Sequence, residues 1–359
     1  MKPGIAVIGA GKFGRLHLDV IRQLERQGLA RLCCAAVGRR EHVDALHREY
    51  QISVYTDYVE ALEHPGVDAV TVATPDHLHR AVTLDALHRG RHVLVEKPMD
   101  TDPAGCELIV EMAERTGLLV QVDFHKRYDP DHRKIAERVR QGDLGEVLYG
   151  YVHMEDRIEV PTRWFPHWAS QSSPVWFLGV HFYDLIRWIL GQEARSVNAH
   201  GSRRFLKSEY ALDTLDHATA TVTFDGGAVV TFQTSWVIPD GFEAIVNQGL
   251  RLVGSRGLIE CDSQDRGMRS CIAHEGMRTY NNNFRHEVVS SDGVVELRGY
   301  GVESIADFIH NVRSVMQGRS PASLKGCLAT AVDGLEATRI AAAVHQSIET
   351  GKPVRIRRN

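Results

Sequence analysis

The sequence predicts a two-domain protein of mixed class, an α/β domain followed by an α+β domain. Three observations carry this expectation. The chain has 359 residues, more than a single hydrophobic core comfortably organises. Its first third alternates short, wholly apolar runs with amphipathic stretches, the pattern of parallel strands covered by helices on both faces. After about residue 123 the rhythm becomes apolar–polar alternation, the mark of a large, mostly antiparallel sheet with one solvated face.

The elements follow in order. "IAVIGA" (5–10), "LCCAAV" (32–37), "DAVTVAT" (68–74), "HVLVEK" (92–97) and "LLVQVDF" (118–124) read as buried strands. Between them "GRLHLDVIRQLERQ" and "HLHRAVTLDALHRG" are helical. In the second half "EVLYGYVHMED" alternates like a strand. "HATATVTFDGGAVVTFQTSW" (217–236) is two alternating runs around Asp225-Gly226-Gly227, a hairpin signal. "GLRLVGSRGLIECDS" adds more strand. "VESIADFIHNVRSVMQG" and "GCLATAVDGLEATRIAAAVHQSIETG" are amphipathic helices closed by Gly. The expected domains are 1–123 and 124–359, the last segment being able to pack back on the first domain.

Composition excludes several classes. Net charge is -4 with His neutral, so there is no broad basic field for nucleic acid or an acidic membrane. No apolar run approaches the roughly 20 residues that span a bilayer. "MKPGIAVIGAG" enters a strand at once, so no signal peptide is expected. The six cysteines form no C-x-x-C and suit reduced thiols in a cytoplasm. Nineteen histidines are scattered, and "HLH" at 77–79 lacks the partners of a metal set, so no metal is expected.

"VIGAGKFGRLH" carries Gly9-x-Gly11-x-x-Gly14 between a strand and a helix, the context a dinucleotide-binding loop requires. Gly9 permits the tight turn, Gly11 lets backbone approach a pyrophosphate, and Gly14 allows close helix–strand packing. Lys12 and Phe13 lie inside the loop, and the helix N-terminus faces the anion. This makes the first domain a Rossmann domain. At the end of the second strand, an NAD enzyme usually offers a carboxylate to the ribose hydroxyl. This chain reads "AAVGRREH" instead. Arg39 and Arg40 either hold a 2′-phosphate or begin a helix in solvent; the expectation is NADP before NAD.

Two further strand ends stand where doubly wound sheets bind ligands. "VATPDHLH" (72–79) brings Thr74, Pro75 and His79; "HVLVEKPMD" (92–100) brings Glu96 and Lys97. All five join the glycine loop as expected cofactor-binding residues. Pro98 fixes the turn behind Lys97, where a cis peptide is an option.

In this order, G-x-G-x-x-G, ATPxxxH and EKP resemble the glucose–fructose oxidoreductase, inositol dehydrogenase and MocA family. The resemblance continues through "FHKRYDPDHRKIAERVRQGDLGEV" (124–147), "GVHFYDLIRWILG" (179–191) and the terminal "GKPVRI", so it covers nearly the whole chain. It implies a C-terminal substrate-binding domain whose sheet face joins subunits as a dimer or tetramer. It also implies hydride transfer between a nicotinamide and the hydroxyl carbon of a sugar, cyclitol or sugar derivative, with Lys97 and His181 as catalytic residues.

Those residues suit the chemistry. Hydride leaves a secondary alcohol only if the hydroxyl proton is also taken. His181 is a candidate base, with an ordinary pKa of about 6.5, and Lys97 can stabilise alkoxide character. By itself His181 also reads as a hydrogen-bonded helix residue at a core edge. Asp184 shares its helix face and either orients the imidazole, contacts substrate or serves structure. The family often keeps a carboxylate four residues before the histidine; this chain has Phe177, which suits a flatter or less polar ligand, or stacks on a sugar face. Arg163, Trp164 and Trp168 in the preceding loop, and His125, complete the expected substrate set. The alternatives are a reductase of a non-sugar unsaturated substrate on the same scaffold, and a non-catalytic dinucleotide- or sugar-sensing regulator.

Overall fold

Strands apolar at every position are stable only inside a sheet covered on both faces. In a computed structural model of the chain, which describes residues 1–291 and 293–358, the first such runs form one six-stranded sheet. Its strands are β1 (Gly4–Ile8), β2 (Arg31–Ala36), β3 (Ser53–Tyr55), β4 (Ala69–Val72), β5 (His92–Val95) and β6 (Val120–Val122). All pairs are parallel, in the order β3-β2-β1-β4-β5-β6. Every residue of β1, β4, β5 and β6 is buried. The connecting helices are α1 (Lys12–Arg26), α2 (Val43–Tyr50), α3 (Tyr58–Glu63), α4 (His79–His88) and α5 (Pro103–Thr116). Leu16, Val20, Ile21 and Leu24 of α1 pack with Ile5, Val7 and Ala35 of the strands. β3 escapes the sequence reading because it has three residues at the sheet edge, none of them fully buried.

The chain then builds a second unit: α6 (Pro130–Arg140), β7 (Val147–Arg157), α7 (Val180–Leu190), β8 (Ala194–Ser202), α8 (Phe205–Tyr210), β9 (His217–Phe224), β10 (Val229–Ile238), β11 (Val246–Gly254) and β12 (Leu258–Asp262). A short hairpin follows, β13 (Arg269–Ile272) and β14 (Gly276–Thr279). β9 and β10 are the two arms of the hairpin expected around Asp225–Gly227.

At residue 283 the chain returns to the first unit. A hairpin of β15 (His286–Val289) and β16 (Val295–Arg298) leads into α9 (Tyr300–Met316). Helix α10 (Ala331–Thr350) and β17 (Val354–Arg355) end the fold. The second sheet has the order β12-β11-β7-β10-β9-β8-β17. It is antiparallel except for the β7–β10 pair, which is parallel.

The compact units are 1–128 with 283–335, and 129–282 with 336–359. The sequence division at 123/124 differs in two ways. His125–Tyr128 remain with the first unit, because Tyr128 hydroxyl donates to Asp307 at 2.6 Å and Arg127 pairs with Asp333 at 3.0 Å. The segment that returns is 283–335, and not the C-terminal tail. Val302, Ile305, Phe308, Ile309 and Val312 recur at helical spacing along α9 and join the first unit's core. The tail instead adds β17 to β8.

Candidate active site

In the first unit the glycines are forced by space. Gly9 has φ +90, and a Cβ there would lie 2.4 Å from the Ala73 carbonyl oxygen. A Cβ on Gly14 would lie 1.8 Å from the Gly9 carbonyl oxygen, so the loop and α1 touch backbone to backbone. Nothing lies within 4 Å of a Cβ on Gly11. Gly11 caps α1 with no side-chain bond, and the first turn carries no acidic residue. Open space before uncapped N–H groups fits a dinucleotide's pyrophosphate. Lys12 and Phe13 are exposed, and the Phe13 ring stands edge-on to Phe284 at 6.5 Å.

Arg39 and Arg40 are exposed just past β2. Arg39 pairs with Glu41 at 3.6 Å, and among the described residues Arg40 makes no ion pair. Glu41 is the first carboxylate after β2, and it faces Arg39.

The ends of β4 and β5 are tied together. His79 is 1% exposed. Its Nδ1 lies 2.6 Å from the Pro98 carbonyl oxygen and its Nε2 lies 2.8 Å from that of Thr74. The ring thus bridges the turn after β4, with the half-buried Thr74 and Pro75, to the turn after β5. The Lys97–Pro98 peptide is cis. Lys97 is buried, and its backbone N–H donates to Glu96 Oε2 at 3.3 Å. Glu96 Oε1 lies 3.2 Å from His17 Nε2, and Asp123 Oδ2 lies 3.7 Å from the same nitrogen. Burial pushes the Glu96 carboxyl up, but the His17 hydrogen bond and the charges of His17, Lys97 and His125 outweigh it and hold it down at about 2. Burial and the neighbouring Glu96 charge raise Asp123 to about 7. These three residues are also the group among the described residues that could hold a metal ion. His125, expected on the substrate side, is buried in the first unit, stacked on Tyr300 at 5.7 Å and tilted against Phe284 at 5.4 Å.

In the second unit two π-helical turns carry three of the six expected substrate residues. Val160–Trp164 holds Arg163 and Trp164; Val175–Gly179 holds Phe177 and leads straight into α7. Such turns are rare and cluster at functional sites. His181 on α7 is 4% exposed. Asp184, one turn later, is 0% exposed, with Arg187 Nη1 at 4.0 Å. Arg187 in turn donates to both oxygens of Glu193, at 2.7 and 2.6 Å. Asp184 therefore faces the interior of its unit, which favours the structural reading over contact with substrate.

Phe177 sits in an aromatic cluster. Its ring centroid is 4.9 Å from Phe165, 6.2 Å from Trp168 and 5.8 Å from Trp236. Trp168 stacks on Phe165 at 4.3 Å. Arg163 is ion-paired with Asp240 and with Glu159, and Trp164 beside it is 40% exposed.

Both halves of the chain match one family. The pattern described as "Oxidoreductase family, NAD-binding Rossmann fold" covers residues 4–124, and the "GFO/IDH/MocA C-terminal domain" covers 132–260. The chain belongs to the GFO/IDH/MocA oxidoreductase family. Relatives of this family member include the scyllo-inositol 2-dehydrogenase (NAD(+)) of Bacillus subtilis, 28% identical over 259 residues that span 70% of this chain and 73% of that one. An inositol 2-dehydrogenase of Streptomyces avermitilis is 34% identical over 220 residues, 58% of this chain and 61% of that one. The scyllo-inositol dehydrogenase of Lactobacillus casei, solved with NAD(H) and scyllo-inositol, shares the fold with a TM-score of 0.77 over 99% of both chains at 20% identity. This GFO/IDH/MocA protein is thus a nicotinamide-dependent oxidoreductase with the expected Rossmann domain. No helix among the described residues is long and apolar enough to cross a membrane.

His17 and Asp123 had no place in the sequence reading, although both are in view. His17 follows Gly14 by three residues and therefore lies on the sheet-facing side of α1. Asp123 directly follows β6. A polar residue ending a wholly buried strand was the available signal.

Proposed function

We propose that this enzyme moves a hydride between NADP, in preference to NAD, and a hydroxyl or carbonyl carbon of a sugar, cyclitol or sugar derivative. The Lys97 turn carries the proposal. A buried lysine at the C-terminal end of β5 is held on one side by Glu96 and on the other, through Pro98, by His79. It stands in the sheet whose first turn is the open glycine loop. The relatives named as inositol dehydrogenases support the substrate class. For the cofactor, the two exposed arginines past β2 suit a 2′-phosphate, although the Bacillus relative is named for NAD(+).

The bound nicotinamide supplies the hydride acceptor or donor. Gly9, Gly11 and Gly14, with Lys12, Phe13, Thr74 and Pro75 around them, form its binding edge. The Lys97 ammonium stabilises the substrate oxygen as it gains alkoxide character, and His181 takes the hydroxyl proton. In reduction the same groups return the proton and polarise the carbonyl. Phe177 with Trp168 supplies an apolar wall, and Arg163 and Trp164 form a polar, exposed rim.

Two further properties fit the reading. Tyr149 and Tyr151 are exposed on β7, and the exposed Val229 pairs in register with Tyr149, so the sheet offers an apolar face for a homo-oligomer. All six cysteines are free, which suits the cytoplasm. Fluorescence titration with NADPH and NADH, then an absorbance screen of sugars, uronates and cyclitols, tests the function. Turnover is expected, with kcat lowered roughly 10²-fold in Lys97→Ala. Tight cofactor binding without turnover of any compound would favour a sensor, and unchanged turnover in Lys97→Ala would remove that residue from the reaction.

A further inference from the structure

Beneath the Lys97 turn lies a set of ionisable groups that the proposed reaction does not use. His17 comes from α1, Glu96 from the end of β5 and Asp123 from the end of β6. Strand pairing fixes the two acids side by side, because Val95 opposes Val122 and the Asp123 N–H donates to the Val95 carbonyl at 2.9 Å. One ligand atom from each of the three residues lies within 4.8 Å of the others. Side-chain exposure is 0% for His17, 7% for Glu96 and 3% for Asp123. Two carboxylates this close in a dry interior do not both ionise. Their occupation is uneven. Glu96 is fully engaged, with His17 on one oxygen and the Lys97 N–H on the other. Asp123 Oδ1 and His17 Nδ1 have no hydrogen-bond partner among the described residues.

We infer that His17, Glu96 and Asp123 form one buried proton-sharing unit that positions the Lys97 turn, and that the proton held on Asp123 sets the charge behind the nicotinamide site. The groups facing it are Lys97 beside β5, His125 after β6 and the Ser304 hydroxyl of α9. Glu96 stays ionised, and burial together with its charge keeps the Asp123 proton in place. Loss of that proton near neutral pH adds a second negative charge under the turn. That charge favours the cationic, oxidised nicotinamide over the neutral, reduced one. His17, Glu96 and Asp123 are thus positioning residues, and the effect on cofactor rests on the function proposed above.

Two measurements on the full-length protein test this. With [13Cγ]aspartate labelling, one carboxyl signal should titrate near pH 7, vanish in Asp123→Asn and shift its midpoint down by at least one pH unit in Glu96→Gln. Titration of every aspartate below pH 5 overturns the inference, as does a midpoint unmoved in Glu96→Gln. Displacement of that signal by one equivalent of Zn2+ also overturns it, in favour of a metal site. The second measurement is the ratio of dissociation constants, NADPH over NADP+, between pH 6 and 8. It should rise roughly threefold or more in the wild type and stay flat in Asp123→Asn. A ratio that does not move, or moves equally in both proteins, overturns the link to the nicotinamide. If neither cofactor binds, the proposed function fails and the link to the nicotinamide with it, while the carboxyl titration still decides the proton sharing.

Discussion

The ring of Phe177 lies 4.9 Å from that of Phe165, inside a cluster that also holds Trp168 and Trp236. Where the family resemblance leads one to expect a carboxylate, this chain has built an apolar enclosure. Restoring the acid would place a charge among packed aromatic rings. Phe177→Asp should destabilise the protein by about 2–4 kcal/mol through the unpaired charge and the lost packing. Phe177→Leu should cost less than half of that. Thermal melts of the two variants check this, and equal midpoints would show that the enclosure adapts to charge.

His79 joins two catalytic-edge turns through one ring. Replacing it with Ala removes the group facing both the Thr74 and the Pro98 carbonyls, which lie in a buried region. The expected cost is about 2 kcal/mol of stability. The same loosening should raise the NADPH dissociation constant roughly tenfold, since Thr74 and Lys97 lose their common anchor. Calorimetry with NADPH on folded His79→Ala is the test. Unaltered affinity would confine His79 to a purely structural role.

The cofactor preference turns on charge at the end of β2. Arg39 and Arg40 are exposed, and the nearest acid, Glu41, sits against Arg39 at 3.6 Å. The double variant Arg39→Ala/Arg40→Ala should weaken NADPH binding by about 1.5–3 kcal/mol, the worth of charge-assisted bonds to a phosphate. NADH, which has no 2′-phosphate, should change by less than twofold. Equal losses for both cofactors would mean that the arginines serve the loop and not the phosphate.

How much of this was legible in the sequence depends on how local the cause is. The glycine loop could be read because Gly9 and Gly14 are demanded by backbone contacts within one strand–turn–helix. The strands were legible wherever they are buried on both faces, and β3 was not, because an edge strand of three residues needs no apolar run. Lys97 and His181 came from motif order, yet the burial of Asp184 and its Arg187 neighbour depends on packing that spacing alone does not reveal. The acid pair of Glu96 and Asp123 requires knowing that β5 and β6 are neighbours. The return of 283–335 to the first unit was hidden for the same reason. An amphipathic helix such as α9 declares that it has a partner, but not which core supplies it.

Acid should destabilise the second unit through His345. Its Nε2 lies 3.0 Å from Ser173 Oγ, and that oxygen also accepts the Trp176 N–H at 3.3 Å. At this distance a neutral imidazole is able to accept the Ser173 hydroxyl proton, which an imidazolium is not. The ring stacks on Trp176 at 5.2 Å. Burial, with the Arg203 charge adding to it, lowers His345 to about 4. For a base with a depressed folded pKa, the unfolded chain binds the extra proton first. The stability tied to neutral His345 is then complete above about pH 6.5 and is lost as pH falls through about 4. The loss should be on the order of 2 kcal/mol. His345→Gln keeps an acceptor for Ser173 but cannot titrate, so its melting temperature should fall less than the wild type's between pH 7 and 4. Parallel pH profiles for the two proteins would show that other groups govern the acid sensitivity.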